Sequence, residues 1–548
     1  MPANAGSRGA DAVALMLKRA GVARVFALSG NHIMSVFDVL FEAGIEVIHT
    51  RHEAAAVHMA DAWSRVTGEP GIALVTGGPG HANAVSALYT AQMSETPVLL
   101  LSGHAPNDQA GAGAFQEMAQ ADMARPVTKA AWASQGSEQL AGDVASALQI
   151  ARSGRPGPVN LNLPSDALQG PADMKALPLL HAGAAVQRLD AGLATTVMHS
   201  LASASKPVIV AGPVLMSRTG RERLGALEHA SGIPAIGMES PRGLLDPSLG
   251  AFAEMLAQAD RILLLGKRLD FTMAFGKQPA LRSDCEFLQV DPEQTEIRRS
   301  MAAVGNRLVV AAIADAFPAA EALRKQARGG KVGGGWLSEV KTAVAYRPSA
   351  WDTAKSALPG RLHPVELLRP LQGLLDSHPE AVLICDGGEI GQWAQACLNA
   401  PHRLINGMSG SIGAALPFAM GARFAQREAP ILTVMGDGTF GFHAVELDTA
   451  VTHQLPFIAV VGNDARWNAE YQIQLREFGA NRARGCEMRP LRYDLVAAAF
   501  GAHGENVADG AALLPALERA QASGRPAVIN APIEGLAAPR VQRTTASG

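Results

Sequence analysis

Four cysteines among 548 residues, with no Cys-X-X-Cys spacing, are too few to build a disulfide framework. Cys285, Cys385, Cys397 and Cys486 therefore read as buried thiols of a reducing compartment. A net charge of −3 leaves no basic footprint and excludes a nucleic-acid partner. Long apolar runs are also missing: residues 97–101 and 262–265 have strand length, against the roughly 20 residues of a spanning helix. The first ten residues are small and polar, without the apolar stretch of a secretory signal. These absences lead to the expectation of a cytoplasmic protein with no membrane partner.

What is present is an apolar fraction of 48% and 56 glycines, suited to an α/β protein with many tight turns. Short apolar strands alternate with helical patterns, the mark of parallel βαβ units. Composition breaks at residues 168–187 and 327–364, the latter rich in glycine, divide the chain in three. The expected fold is α/β, with three doubly wound parallel-sheet domains at residues 1–170, 188–326 and 360–535. The middle domain carries no GxGxxG after a strand, so a dinucleotide fingerprint is absent there.

The densest chemical pattern lies in the last domain. Gly436-Asp437-Gly438 follows the apolar run 431–435, and Asn463-Asp464 follows the run 457–461. A helical stretch is predicted between them over 442–451. Parallel strands end at one rim, so Asp437 and Asp464 should converge as oxygen donors for a hard cation shared with a phosphate. Gly438 and Thr439 lead into a helix N-terminus, whose free N–H groups favour phosphate. The pattern resembles the diphosphate-binding signature of thiamine-diphosphate (ThDP) enzymes, with Asp464 where that family has a second asparagine.

Other segments extend the resemblance over most of the chain. Arg51-His52-Glu53-Ala54-Ala55-Ala56 is similar to the segment that supplies the family's conserved glutamate. By that resemblance Glu53 hydrogen-bonds the cofactor's pyrimidine ring and enables loss of the thiazolium C2 proton. On the residues alone, Glu53 also suits the first turn of a helix. Gly78-Pro79-Gly80-His81-Ala82-Asn83 resembles the cofactor loop GPGxTN, which brings in Asn83. Phe115-Gln116-Glu117 resembles the segment whose glutamine reaches the substrate. Gly410-Ser411-Ile412-Gly413 resembles the turn at Ser411 whose apolar residue, here Ile412, wedges the cofactor into a bent shape.

The branch resembled contains acetolactate synthase, benzaldehyde lyase and 2-hydroxyacyl-CoA lyase. It implies Mg²⁺ on Asp437, Asp464 and the Arg466 carbonyl, with Gly436, Glu389 and Trp467 also lining the cofactor. It implies His32, Gln116 and Glu470 as groups acting on substrate, His32 because an imidazole titrates near neutrality. His81 is either second to these or a packing residue, and Asp448 reads as a solvated helix residue. Relatives bind FAD, ADP or nothing in the central domain; residues 269–276 resemble the lyase version of the loop there, against FAD. The expected reaction makes or breaks a C–C bond beside a carbonyl of a 2-hydroxy ketone, 2-keto acid or 2-hydroxyacyl-CoA. A lyase or carboligase is favoured over an acetolactate synthase-type transferase, a flavin-dependent pyruvate oxidase and a silent regulatory relative. A homodimer or dimer of dimers is implied.

Overall fold

The computed structural model describes residues 6–175, 177–178, 186–327 and 335–543. Part of each predicted linker, including Gly329, Gly330, Gly333 and Gly334, lies outside the described residues, as do residues 1–5. Three sheets, every strand pair parallel, form the framework. The first contains β1 (Arg24–Ala27), β2 (Glu46–His49), β3 (Gly71–Val75), β4 (Val98–His104), β5 (Ala130–Ala133) and β6 (Val159–Pro164). The second contains β7 (Pro207–Ala211), β8 (Ala235–Gly237), β9 (Arg261–Leu265), β10 (Glu286–Asp291) and β11 (Leu308–Ile313). The third contains β12 (Val382–Cys385), β13 (His402–Ile405), β14 (Ile431–Gly436), β15 (Ile458–Asn463), β16 (His503–Asn506) and β17 (Ala527–Pro532).

Strands covered on both faces must be apolar throughout, and β3, β7, β12 and β15 are buried along their whole length. In the middle sheet, Leu263 and Leu265 join one core while Ile262 and Leu264 join the other.

The first and third sheets have the same order. It runs β2-β1-β3-β4-β6-β5 in one and β13-β12-β14-β15-β17-β16 in the other. In each, the winding direction reverses between the first and third strands, β1/β3 and β12/β14. Crevices at such reversals, beyond the carboxyl ends of the strands, are where doubly wound sheets bind ligands. The common topology supports the reading of two related folds, although their sequences show no repeat.

The chain divides into two compact units: Met1–Ala185 with Leu416–Arg427 and His443–Leu455, and Val186–Ala415 with Glu428–Phe442 and Pro456–Gly548. Two segments of the C-terminal third thus pack in the first unit. Phe418 lies edge-on to His58, and Phe424 edge-on to Phe26, with the Arg24 guanidinium over the Phe424 ring. The helix predicted over 442–451 is two helices, Asp437–His443 and Glu446–Thr452. Glu446 and Asp448 in the first turn of the second suit a new N-terminus there. Asp448 is not simply solvated: it accepts from Arg51 Nε at 2.8 Å.

Candidate active site

In the first unit, residues at the ends of β1, β2 and β3 meet at the reversal of winding. Glu53 opens the helix Glu53–Thr67 just beyond β2 and is buried. Its Oε2 accepts from Asn83 Nδ2 at 3.0 Å, so the structure joins two residues predicted from separate motifs. Gly78–Asn83 is not a free loop: it is the first turn of a helix, Pro79–Met93. A proline at the first helical position and a glycine at +59° before it explain the tight entry. A side chain on Gly80 would begin 2.7 Å from Thr76 Cγ2 and 3.3 Å from Glu53 Oε1, so Thr76 and Glu53 border one small space.

His32 belongs to the same end of the sheet. Its Nδ1 lies 3.2 Å from Thr76 Oγ1, and its ring stacks on exposed Phe115 with centroids 6.1 Å apart. Burial lowers the His32 pKa, partly offset by a hydrogen bond with the Phe115 main chain. Gln116 is held at φ +58°, an uncommon conformation for a residue with a side chain, and it abuts Gly78. Glu117 accepts from the N–H groups of Gly113 and Ala114, each at 3.0 Å, and so ties this loop together. His81 is fully buried, with Nδ1 2.9 Å from Ser102 Oγ, and burial pushes its pKa down to about 4. With that pKa its imidazole is neutral at pH 7.

The second unit holds the predicted acidic turns. Gly436 and Gly462 are paired in register, so Asp437 and Asp464 leave neighbouring strands at one rim. Both are buried, and among the described residues Asp437 Oδ2 has no hydrogen-bond partner. Burial raises Asp437 to a pKa of about 6. Burial, and then the Asp437 charge, raise Asp464 to about 7. Arg466 N–H donates to Asp464 Oδ1 at 3.1 Å, and Ala465 turns the chain at φ +59°. Among the described residues no group of three or more histidine, cysteine or carboxylate side chains could hold a metal. Two carboxylates with an orphaned oxygen fit a Mg²⁺ completed by a main-chain carbonyl, such as that of Arg466, and by a ligand's phosphates.

A small cleft of about 70 Å³ opens here, lined among others by Glu389, Ile412, Gly436, Asp437, Gly438, Thr439, Asp464, Arg466, Trp467 and Glu470. Trp467 packs so closely on Gly438 that a Cβ there would sit 2.5 Å from the indole. Ile412 approaches Gly387 equally closely and is only partly covered. Asn406 Nδ2 donates to the Ser411 carbonyl at 2.9 Å, and Thr439 Oγ1 donates to the Gly436 carbonyl at 3.0 Å. Glu389 accepts from Ala538 N–H at 2.8 Å and lies 3.4 Å from Arg242, so it also binds the C-terminal segment. Burial raises its pKa, and the exposed Glu470 carboxylate adds to the rise.

Several contributors escaped the sequence analysis. Thr76 carries no motif beyond its position at a strand end. Gln120 accepts from Gly78 N–H at 2.8 Å and donates to the Gly103 carbonyl at 2.9 Å, bracing the entry to the Glu53 region. Asp386 accepts from Gly413 and Ala415 N–H at 2.8 and 3.1 Å, fixing the turn that carries Ile412. Its place directly after β12 was the one available signal.

Three family models match in chain order. They are the thiamine pyrophosphate enzyme N-terminal TPP binding domain over residues 7–123, the central domain over 194–319 and the C-terminal TPP binding domain over 386–531. The acetolactate synthase large subunit IlvG of Mycobacterium tuberculosis is 33% identical over 94% of both chains. Human 2-hydroxyacyl-CoA lyase 2 is 28% identical over 95% of this chain and 89% of its own. The catabolic acetolactate synthase of Raoultella terrigena is 28% identical over 96% of this chain and 95% of its own.

The acidic pair makes a measurable prediction. Because Asp464 titrates higher when folded than the ordinary 3.8, the folded metal-free protein holds a proton that the unfolded chain releases. Stability of the metal-free protein therefore falls as pH rises from about 4 to about 7 and stays low above that window. Asp464→Asn removes the buried charge, so in EDTA at pH 8 the variant should be more stable by on the order of 3 kcal/mol. That advantage should vanish near pH 4. Equal thermal or urea midpoints at pH 8 would contradict the electrostatic account of this pair.

Proposed function

The chain belongs to the thiamine-pyrophosphate-dependent enzymes, and on that premise we propose that it cleaves or forms a C–C bond beside a carbonyl, as a 2-hydroxyacyl-CoA lyase- or benzaldehyde lyase-like lyase/carboligase. Bound ThDP supplies the nucleophilic carbon and the electron sink for this chemistry. The observation that carries the lyase reading is His32, stacked under Phe115 and bonded to Thr76 on the space that Glu53 also borders. A neutral imidazole there can accept a proton from a substrate hydroxyl and return it. Gln116 orients a carbonyl oxygen without titrating. Glu470, exposed on the cleft, supplies or takes a second proton.

Residues 1–170 hold the pyrimidine, with Glu53 positioned by Asn83 as the group that handles its proton. Residues 360–535 hold the diphosphate and Mg²⁺ through Asp437, Asp464 and the Arg466 carbonyl. Gly436, Gly438, Thr439, Glu389, Ser411, Ile412 and Trp467 shape the cradle. FAD or ADP in residues 188–326 is not favoured in this reading, because the loop 269–276 resembles the lyase version and no GxGxxG follows a strand there. A homodimer or dimer of dimers completes each site, Glu53 of one chain serving the cradle of another. The free thiols, with burial raising Cys285 and Cys385 to about 12, suit a cytoplasmic setting.

An acetolactate synthase-type condensation of 2-keto acids is the second reading, favoured by the 33% identity to the mycobacterial protein. The two separate on a panel of pyruvate, benzoin and a 2-hydroxyacyl-CoA with ThDP and Mg²⁺, read by mass spectrometry. The lyase reading predicts an aldehyde from benzoin or the thioester; acetolactate from pyruvate as sole product would replace it with the second. On the substrate so identified, His32→Ala should lower kcat about tenfold or more while ThDP affinity changes less than about threefold. Unchanged kcat would reduce His32 to packing. Glu53→Gln should fold and bind ThDP yet slow hydrogen–deuterium exchange at its C2 by about a hundredfold or more. Exchange at the wild-type rate would remove Glu53 from this role.

A further inference from the structure

Glu446 lies between the two acidic turns in sequence and has no part in the cleft just described. Its residue is fully buried, and burial pushes its pKa up. A carboxylate so placed is costly unless its oxygens are hydrogen-bonded. Its partners are specific. Oε1 accepts from the Arg51 main-chain N–H at 2.9 Å, the His52 main-chain N–H also donates to the carboxylate, and Thr449 Oγ1 donates to Oε2 at 2.7 Å.

Arg51 and His52 are the two residues that lead into Glu53. His52 is the N-cap of the helix Glu53–Thr67, its Nδ1 accepting from Ala54 N–H at 3.1 Å. Their own N–H groups precede the helix and need an acceptor from elsewhere. The same short helix, Glu446–Thr452, also grips Arg51 from outside, through Asp448 on its guanidinium. His443, just ahead of that helix, meets the rings of His52 and His58 edge-on at 5.9 and 5.7 Å.

We propose that Glu446 is a positioning residue for catalysis: by accepting the main-chain N–H groups of Arg51 and His52, it fixes the turn from which Glu53 projects. Asn83 restrains the Glu53 carboxylate from one side, and Glu446 restrains its backbone from the other. Small displacements matter here, because an error of about 1 Å in a catalytic group can cost about a hundredfold in rate. The inference rests on Glu53 as the proton-handling carboxylate.

The test joins two readouts on the full-length protein. The first is backbone amide exchange by mass spectrometry in the cofactor-free protein, comparing the peptide over residues 46–57 with one over β4. The second is hydrogen–deuterium exchange at C2 of bound ThDP, with ThDP affinity measured alongside. Glu446→Ala should speed exchange in the 46–57 peptide about tenfold or more and leave β4 unchanged. C2 exchange should slow about tenfold or more, with ThDP affinity within about threefold of wild type. Glu446→Gln keeps an oxygen for the Arg51 N–H and should restore both readouts to within about threefold.

Thr449→Val, which loosens the carboxylate without removing it, should move both readouts the same way by less and serves if the alanine variant does not fold. Unchanged amide protection would refute the brace. Lost protection with wild-type C2 exchange would leave Glu446 a structural stake with no bearing on Glu53. Glu53→Gln retaining wild-type C2 exchange would refute the Glu53 assignment itself, an outcome distinct from either result for Glu446.

Discussion

Two carboxylates buried side by side at the ends of β14 and β15 are the constraint on which the rest of this site depends. Burial, and after it the nearby Asp437 charge, raise the pKa of Asp464 to about 7. One oxygen of Asp437 has no hydrogen-bond partner among the described residues. Such an arrangement is costly in a core, and a divalent cation held by these carboxylates would offset their repulsion. The surrounding features follow from it. The turn at Ala465 brings the Arg466 main chain alongside, Trp467 closes over Gly438, and the buried Asp386 carboxylate holds the turn that presents Ile412.

The first sheet uses its own reversal of winding in the same manner, with a carboxylate of opposite purpose. Glu53 is an acid whose carboxylate accepts from Asn83. In the proposed reading it handles a proton rather than a cation. One strand order therefore supplies both halves of the chemistry, and what differs is which side chains stand at the strand ends.

Much of this was legible in the sequence because the chemistry is carried by contiguous strand–turn–helix segments. Asp437 and Asp464 each follow an apolar run directly, so one pattern gave both the strand and the residue at its end. The same held for Glu53, whose helix begins where its alanine-rich stretch begins. The unread parts depend on residues distant in the chain. Nothing near Glu446 indicates that its partners are Arg51 and His52, and nothing near Gln120 indicates Gly78 and Gly103. Asp448 looked solvated for the same reason. The predicted single helix over 442–451 failed at residues 444–445, where tertiary partners of the Glu446 segment outweigh helical continuity.

We propose that Glu53 and the acidic cradle at Asp437 act in one site contributed by two chains. Mixing Glu53→Ala with Asp437→Ala, each inactive alone, tests this after subunit exchange is verified. Each mixed dimer then contains one site with both lesions and one with neither, so random mixing should restore about a quarter of wild-type activity. Activity that stays at zero despite verified exchange would mean that each chain builds its own site, and would contradict the account.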